Sequence, residues 1–271
     1  MKKLILLTLL SCYYLAYSQD DVQLAHENFT ETTLSLNLEM IYIEGGTFTM
    51  GCTREQGYDC FADEKPAHQV TLSSFFIGKY EVTQAQWKAV MGKLPDNNSD
   101  KSLAGDNFPV ENISWNDTQE FIRKLNAATG KTYRLPTEAE WEFVARGGNK
   151  SKGFRYSGGN TLDDVAWYVS NSDKKAHPVG AKLPNELGIY DMSGNVYEWC
   201  QDWYGEYSSN AQKNPKGASS GTIRVLRCGS WRYLAQFCRV SRRGFSPPDT
   251  RTDGSGFRLV LTPQEIMNNG Q

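Results

Sequence analysis

Two cysteines ten residues apart, Cys228 and Cys238, stand in the stretch of this chain richest in reactive groups, Arg224 to Arg258. A thiol acts as nucleophile or soft-metal ligand only as the thiolate, which needs positive surroundings and some exposure. The stretch supplies charge, with eight arginines against two acids, Asp249 and Asp253. Two readings of that charge stay open. Arg232, Arg242, Arg243 and Arg251 could present a positive surface to an acidic ligand, or could tie irregular loops together. Ser230, Trp231, Tyr233 and Phe237 lie among them and are expected to line a shallow ligand groove. Elsewhere, Cys52 and Cys60 enclose the short polar loop TREQGYD and are expected to staple it. One further bridge is expected among Cys200, Cys228 and Cys238, with Cys200–Cys238 preferred. No CxxC or Cys/His spacing suggests zinc, and His26, His68 and His177 are scattered.

Such bridges require an oxidising compartment, and the N-terminus points to one. Lys2 and Lys3 precede a mostly apolar run, Leu4–Ala16, and Ala16-Tyr17-Ser18 offers a small-residue cleavage pattern. Residues 1–18 therefore read as a secretory signal. A lipoprotein alternative uses Leu9-Leu10-Ser11-Cys12 with the lipid on Cys12, although the apolar run continues beyond it. No other segment is apolar for long enough to span a bilayer, so the mature chain is expected to be periplasmic or extracellular. Of six cysteines Cys12 leaves with the signal, and the odd remainder leaves at least one thiol free or paired outside the chain. A net charge of −2 argues against a nucleic-acid partner.

The elements that must position these groups are mostly short. Residues 19–39 read as a polar N-terminal extension, 40–262 as one domain and 263–271 as a tail. Strands are expected at Met40–Ile43, Thr47–Gly51, Gln69–Leu72 and Phe75–Ile77, and a short one at Thr132–Pro136. Capping boxes at Thr83 and Thr137, and a cap at Ser114, start three helices that glycines end at Gly92, Gly130 and Gly147-Gly148. Beyond Gly148 helical periodicity vanishes into aromatic runs and turns.

Ordered landmarks cover about Met40 to Leu261: IEGGTFTMG, EKPAHQV, KYEVTQAQW, PVENISWNDTQEF, YRLPTEAEWEFVARGG, GIYDMSGNVYEW and GSGFRLVL. With these the chain resembles the formylglycine-generating enzyme, or sulfatase-modifying factor, family. The resemblance implies an α+β fold related to C-type lectins, low in regular secondary structure, with a small twisted antiparallel sheet and a few helices. Catalytic members oxidise a client-sulfatase cysteine with copper(I) on two thiolates five residues apart, shortly after Gly-Gly-Ser; soft thiolates select that ion. Here the Gly-Gly-Ser position reads Cys228-Gly229-Ser230, and the second thiolate matches Cys238. The first falls on Tyr233, whose hard phenol is a poor copper(I) ligand, and the expected His and Arg are Leu234 and Ala235. Cys238 is thus catalytic only if the chain is enzymatic, with Cys228 the candidate substitute thiol, and copper(I) is not expected. The histidine-rich domain of the sulfoxide synthases has no counterpart.

The resemblance also implies a calcium site. The family's N/D-x-x-G-x-x-x-E loop matches Asp191 to Glu198. Asp191 and Glu198 would give carboxylate oxygens, and Gly194 and Val196 backbone carbonyls, all hard donors suited to calcium. Arg239 and Arg258 lie in family motifs and are expected to bind loop carbonyls. The groove residues occupy the region where enzymatic relatives hold substrate peptide, and in some display relatives the segment matching Arg232–Gly256 is diversified. The expected function is an exported, non-catalytic binding or envelope-associated scaffold. Its partner would be a protein, a peptide or another envelope protein. The alternative is an oxidoreductase converting a client-protein cysteine to formylglycine.

Overall fold

The computed structural model describes residues 26–58, 60–95 and 105–263. The expected signal 1–18, with Cys12, lies outside the described residues, as does the tail after Pro263. The chain begins with strands β1 (Phe29–Glu31), β2 (Leu38–Ile43), β3 (Gly46–Met50), β4 (His68–Leu72) and β5 (Phe75–Gly78). Order therefore starts earlier than Met40. β1 pairs antiparallel with β2, and Leu36 and Leu38 are buried in the core. The cause is a polar anchor at Glu31, a buried carboxylate that accepts from the Tyr133 hydroxyl at 3.0 Å and pairs with Lys131.

Helices α1 (Gln84–Met91), α2 (Trp115–Thr129) and α3 (Glu138–Ala145) follow. Each begins with a reciprocal capping box, in which Thr83, Ser114 and Thr137 accept from the amide three residues on. α1 and α2 end on left-handed Gly92 and Gly130. α2 buries Thr118, Phe121, Ile122 and Leu125 on one face. Trp87 of α1 stacks on Phe121 at 5.4 Å, and Phe257 closes edge-on at 5.2 Å from Phe121. Rings that each hide roughly 150–250 Å² of surface outweigh the weak intrinsic stability of so short a helix as α1.

After α3 regular structure thins to α4 (Leu162–Val165), β6 (Tyr197–Trp203), β7 (Gln212–Lys213), β8 (Arg224–Arg227), β9 (Gly244–Ser246), β10 (Ser255–Gly256) and β11 (Val260–Leu261). α4, a single turn, is too short to show helical periodicity. The strand expected at Thr132–Pro136 is reduced to a single bridge, Arg134 to Val260. The sheet resolves into three, ordered β1-β2-β5-β11, β10-β6-β8-β9 and β3-β4-β7, with β10–β6 and β4–β7 parallel.

Buried ion pairs hold the irregular half. α3 is buried on every side, glutamates included. Arg227 donates to Glu138 at 2.8 Å, to Glu142 at 2.7 Å and to the Val240 carbonyl at 2.6 Å. Arg243 forks onto Glu138 at 2.7 and 2.9 Å. Arg239 grips Glu64, and Arg258 grips Glu198. The carbonyl ties expected of Arg239 and Arg258 exist, but carboxylates are their main partners, because a desolvated guanidinium needs a counter-charge as well as acceptors. Of the four arginines considered for a surface role, Arg243 is buried and Arg242 half-buried against Asp63, while Arg232 and Arg251 are exposed, Arg251 paired with Asp117.

Candidate functional site

One face of the β10-β6-β8-β9 sheet, together with the turn Ala235–Cys238, forms an open groove of about 290 Å³. Tyr197, Tyr233, Phe237, Arg242, Phe245 and Asp253 are among its lining residues. Tyr233 stands edge-on to Tyr197 at 5.1 Å and to Phe237 at 5.6 Å. Phe237 stacks on Phe61 at 6.0 Å, and the Arg242 guanidinium lies 4.1 Å from the Phe61 ring centre. Beside them Leu234 is 58% exposed and Phe245 53%, so the rim is apolar and open to solvent. The Tyr233 backbone is fixed at both ends, its amide donating to Ser230 and its carbonyl accepting from Val169, each at 3.0 Å. An aromatic floor held on a rigid backbone suits an apolar or aromatic side chain of a partner.

Two of the four expected groove residues lie elsewhere. Ser230 is fully buried, with no hydrogen-bond partner for its hydroxyl. The Trp231 indole donates to Glu111 at 3.0 Å, and its amide to the Asn195 carbonyl at 2.7 Å. These residues fasten the loop beneath, and Tyr197 and Phe245 take their places in the groove.

Among the described residues the cysteines divide into one bridge and three free thiols. Cys52–Cys60 is a disulfide. The preferred Cys200–Cys238 bridge is absent, since Cys200, Cys228 and Cys238 are all free and buried. Packing separates the pair: Cys200 belongs to the core around Trp141 and Val225, and Cys238 to a small cluster with Tyr156, Leu162 and Val165. Burial pushes the Cys238 thiol up to about 12, so almost none of it is thiolate at neutral pH. A Cβ on Gly229 (φ 75) would sit 2.9 Å from Cys238 Sγ, and only glycine fits there. Cys228 points away from a copper role. Its Sγ donates to the carbonyls of Asp191 at 3.1 Å and Gly194 at 2.9 Å.

Those carbonyls belong to the loop read as a calcium site. Asp191 Oδ2 accepts from the Gly180 amide at 2.7 Å, and the Val196 amide donates to buried Glu81 at 3.1 Å. Glu198 Oε2 accepts from Trp141 Nε1 at 2.7 Å and Arg258 Nε at 2.6 Å, and Oε1 from Arg258 Nη2 at 2.6 Å. Burial, then the nearby Glu198 charge, raise the Asp191 carboxyl to about 6 against the pull of the Gly180 amide and Arg258. Burial, with Asp191 and Glu198 beside it, also lifts Glu81 well above the carboxylate range. Glu198 and the Gly194 carbonyl, two of the four expected calcium donors, thus already accept from groups of the chain itself. Among the described residues no group of three or more His, Cys, Asp or Glu side chains is placed to hold a metal.

Sequence reasoning missed a second cavity of about 170 Å³, lined in part by His68, Glu138, Asp202, Tyr207 and Arg243. Glu138 is held down at about 2, since Arg243 and Arg227 outweigh the upward push of burial. Asp202, buried beside it and accepting the Glu138 amide at 2.9 Å, is pushed up to about 8 by burial and then by the Glu138 charge. The available signal was the run of acids in TEAEWE, too many for a buried helix without arginine partners.

A family description, the Sulfatase-modifying factor enzyme 1-like domain, matches residues 25–263. The chain belongs to this family. The sulfatase-modifying factor fold is shared with the solved structure of Treponema denticola variable protein 1, 32% identical, with a TM-score of 0.77 over 87% of this chain and 99% of that one. Among sulfatase-modifying factor relatives, the Chaperone protein LppX of Paenibacillus barcinonensis is 32% identical over 85% of this chain and 92% of its own length. A Formylglycine-generating enzyme of Thermomonospora curvata is 30% identical over 83% and 93%. The family thus includes both a named enzyme and a protein named for chaperoning. Among the described residues no helix is long and apolar enough to cross a membrane.

Proposed function

We propose that this sulfatase-modifying factor protein is an exported, non-catalytic binding module that takes a protein or peptide in the groove around Tyr233 and Phe237. The observation that carries this reading is the exchange at Tyr233. An exposed ring stands where the resemblance expects the first copper thiolate, within an aromatic groove, while the remaining thiol, Cys238, is buried and protonated. A soft-metal site needs two accessible thiolates, and a recognition surface needs rigid apolar rings. The Cys52–Cys60 bridge and the signal-like N-terminus support export, with an envelope or extracellular partner. The similarity to a protein named as a chaperone supports a binding role.

Two measurements test the reading. Incubation with copper(I), oxygen and a CxPxR-type peptide is expected to leave the peptide mass unchanged; the mass loss of cysteine-to-formylglycine conversion would establish the oxidoreductase instead. Selection from a displayed peptide library should yield binders to the native protein that the double variant Tyr233→Ala, Phe237→Ala does not retain. Equal retention by that variant would remove the groove from the proposal.

A further inference from the structure

The loop from Asp191 to Glu198 turns through three left-handed residues, Asp191 (φ 57), Gly194 (φ 80) and Asn195 (φ 58). Gly194 lies so near the Trp167 carbonyl that a Cβ would come within 2.3 Å of it. Such backbone does not hold itself, and it directs carbonyls to places where some donor or cation must meet them.

On one side that donor is Cys228. Its thiol proton is shared between the Asp191 and Gly194 carbonyls, 3.1 and 2.9 Å from Sγ, and the Gly194 amide returns a bond to the Cys228 carbonyl at 2.8 Å. The clasp is reciprocal, and it carries strain. Cys228 has φ 94, a region that residues with a Cβ rarely occupy, at the position where the resemblance expects glycine. On the other side stands Arg258. Its guanidinium engages both oxygens of Glu198 at 2.6 Å and also donates to the carbonyls of Gly78 and Tyr190, each at 3.0 Å. A divalent cation on Glu198 would have to displace this buried positive charge or sit against it.

We propose that Cys228, working beside the family-motif Arg258, does in this chain what calcium is expected to do in the family: the 191–198 loop is ordered without a divalent metal. The thiol closes the carbonyl side and the guanidinium the carboxylate side. The loop in turn supports the segment that carries Tyr233, because the Trp231 amide donates to the Asn195 carbonyl.

The test uses the full protein, purified from calcium-containing buffer. Elemental analysis after dialysis should find calcium far below one per chain, and thermal midpoints with calcium chloride or with EGTA should coincide. One calcium per chain, or a midpoint several degrees higher with calcium, overturns the proposal. Hydrogen exchange across the 188–199 peptide separates the thiol's part from general stability. Cys228→Gly relieves the strain and removes the donor; exchange there is expected to be about tenfold faster, with or without calcium. Cys228→Ser keeps a donor and should remain close to the native protein. Unchanged exchange in Cys228→Gly overturns the thiol clasp, and if that variant does not fold, loss of protection in Cys228→Ser does the same.

Discussion

The C-terminal stretch Arg224–Arg258 has two sides of opposite character. Inside, Arg227, Arg239, Arg243 and Arg258 are buried against carboxylates from Glu64 to Glu198. Outside, Tyr233, Leu234 and Phe245 face solvent. Charge within and rings without reverse the ordinary arrangement, and the reversal is instructive. Short strands and turns leave many backbone acceptors and few ladders, so multi-donor guanidiniums supply order that regular structure does not. The exposed rings then cost the fold little and remain available to a partner.

If the inner side is the frame, breaking it has the largest effect. Arg227→Ala takes one of two guanidiniums from Glu138 and from Glu142, which keep Arg243 and Arg146, and removes the donor to the Val240 carbonyl; it is expected to cost about 3 kcal/mol by denaturant unfolding. A cost below about 1 kcal/mol, the scale of a surface pair, would erase the distinction between the two sides.

A smaller effect sharpens the inner side. Asp202 holds its proton to about 8 in the fold and only to the ordinary carboxylate range when unfolded. Its contribution to stability is therefore complete in acid and declines as pH rises from that range through about 8. Asp202→Asn keeps the shape and removes the titration, so its melting temperature should fall less than the native protein's as pH is raised. Parallel pH profiles would mean that Asp202 is ionised in the fold.

The smallest effect belongs outside. Replacing Tyr233 and Phe237 by alanine should leave the midpoint of unfolding nearly unchanged while binding is lost. A large drop in stability would place these rings in the frame.

Local chemistry was legible in advance. The helix starts at Thr83, Ser114 and Thr137 were readable because a cap depends on residues three positions apart. The Cys52–Cys60 bridge was readable because eight residues of separation keep the two thiols near each other whatever the rest does. The wrong pairing of Cys200, the burial of Ser230 and the engagement of Glu198 were not readable, since each depends on groups far away in the chain. The β1 strand was hidden for the same reason: its polar look conceals a carboxylate anchored more than a hundred residues away at Tyr133.

Composition and motif order alone determined the family and the low content of regular structure, and they set Tyr233 where the resemblance expects a thiol, because these are properties of residue identity and spacing. Only the tertiary structure decided which side each arginine and ring occupies, that three thiols stay unbridged, and that Cys228 reaches the Asp191 and Gly194 carbonyls. Burial and pairing are relations between distant segments, and a buried charge or thiol takes its chemistry from the neighbours that folding brings to it.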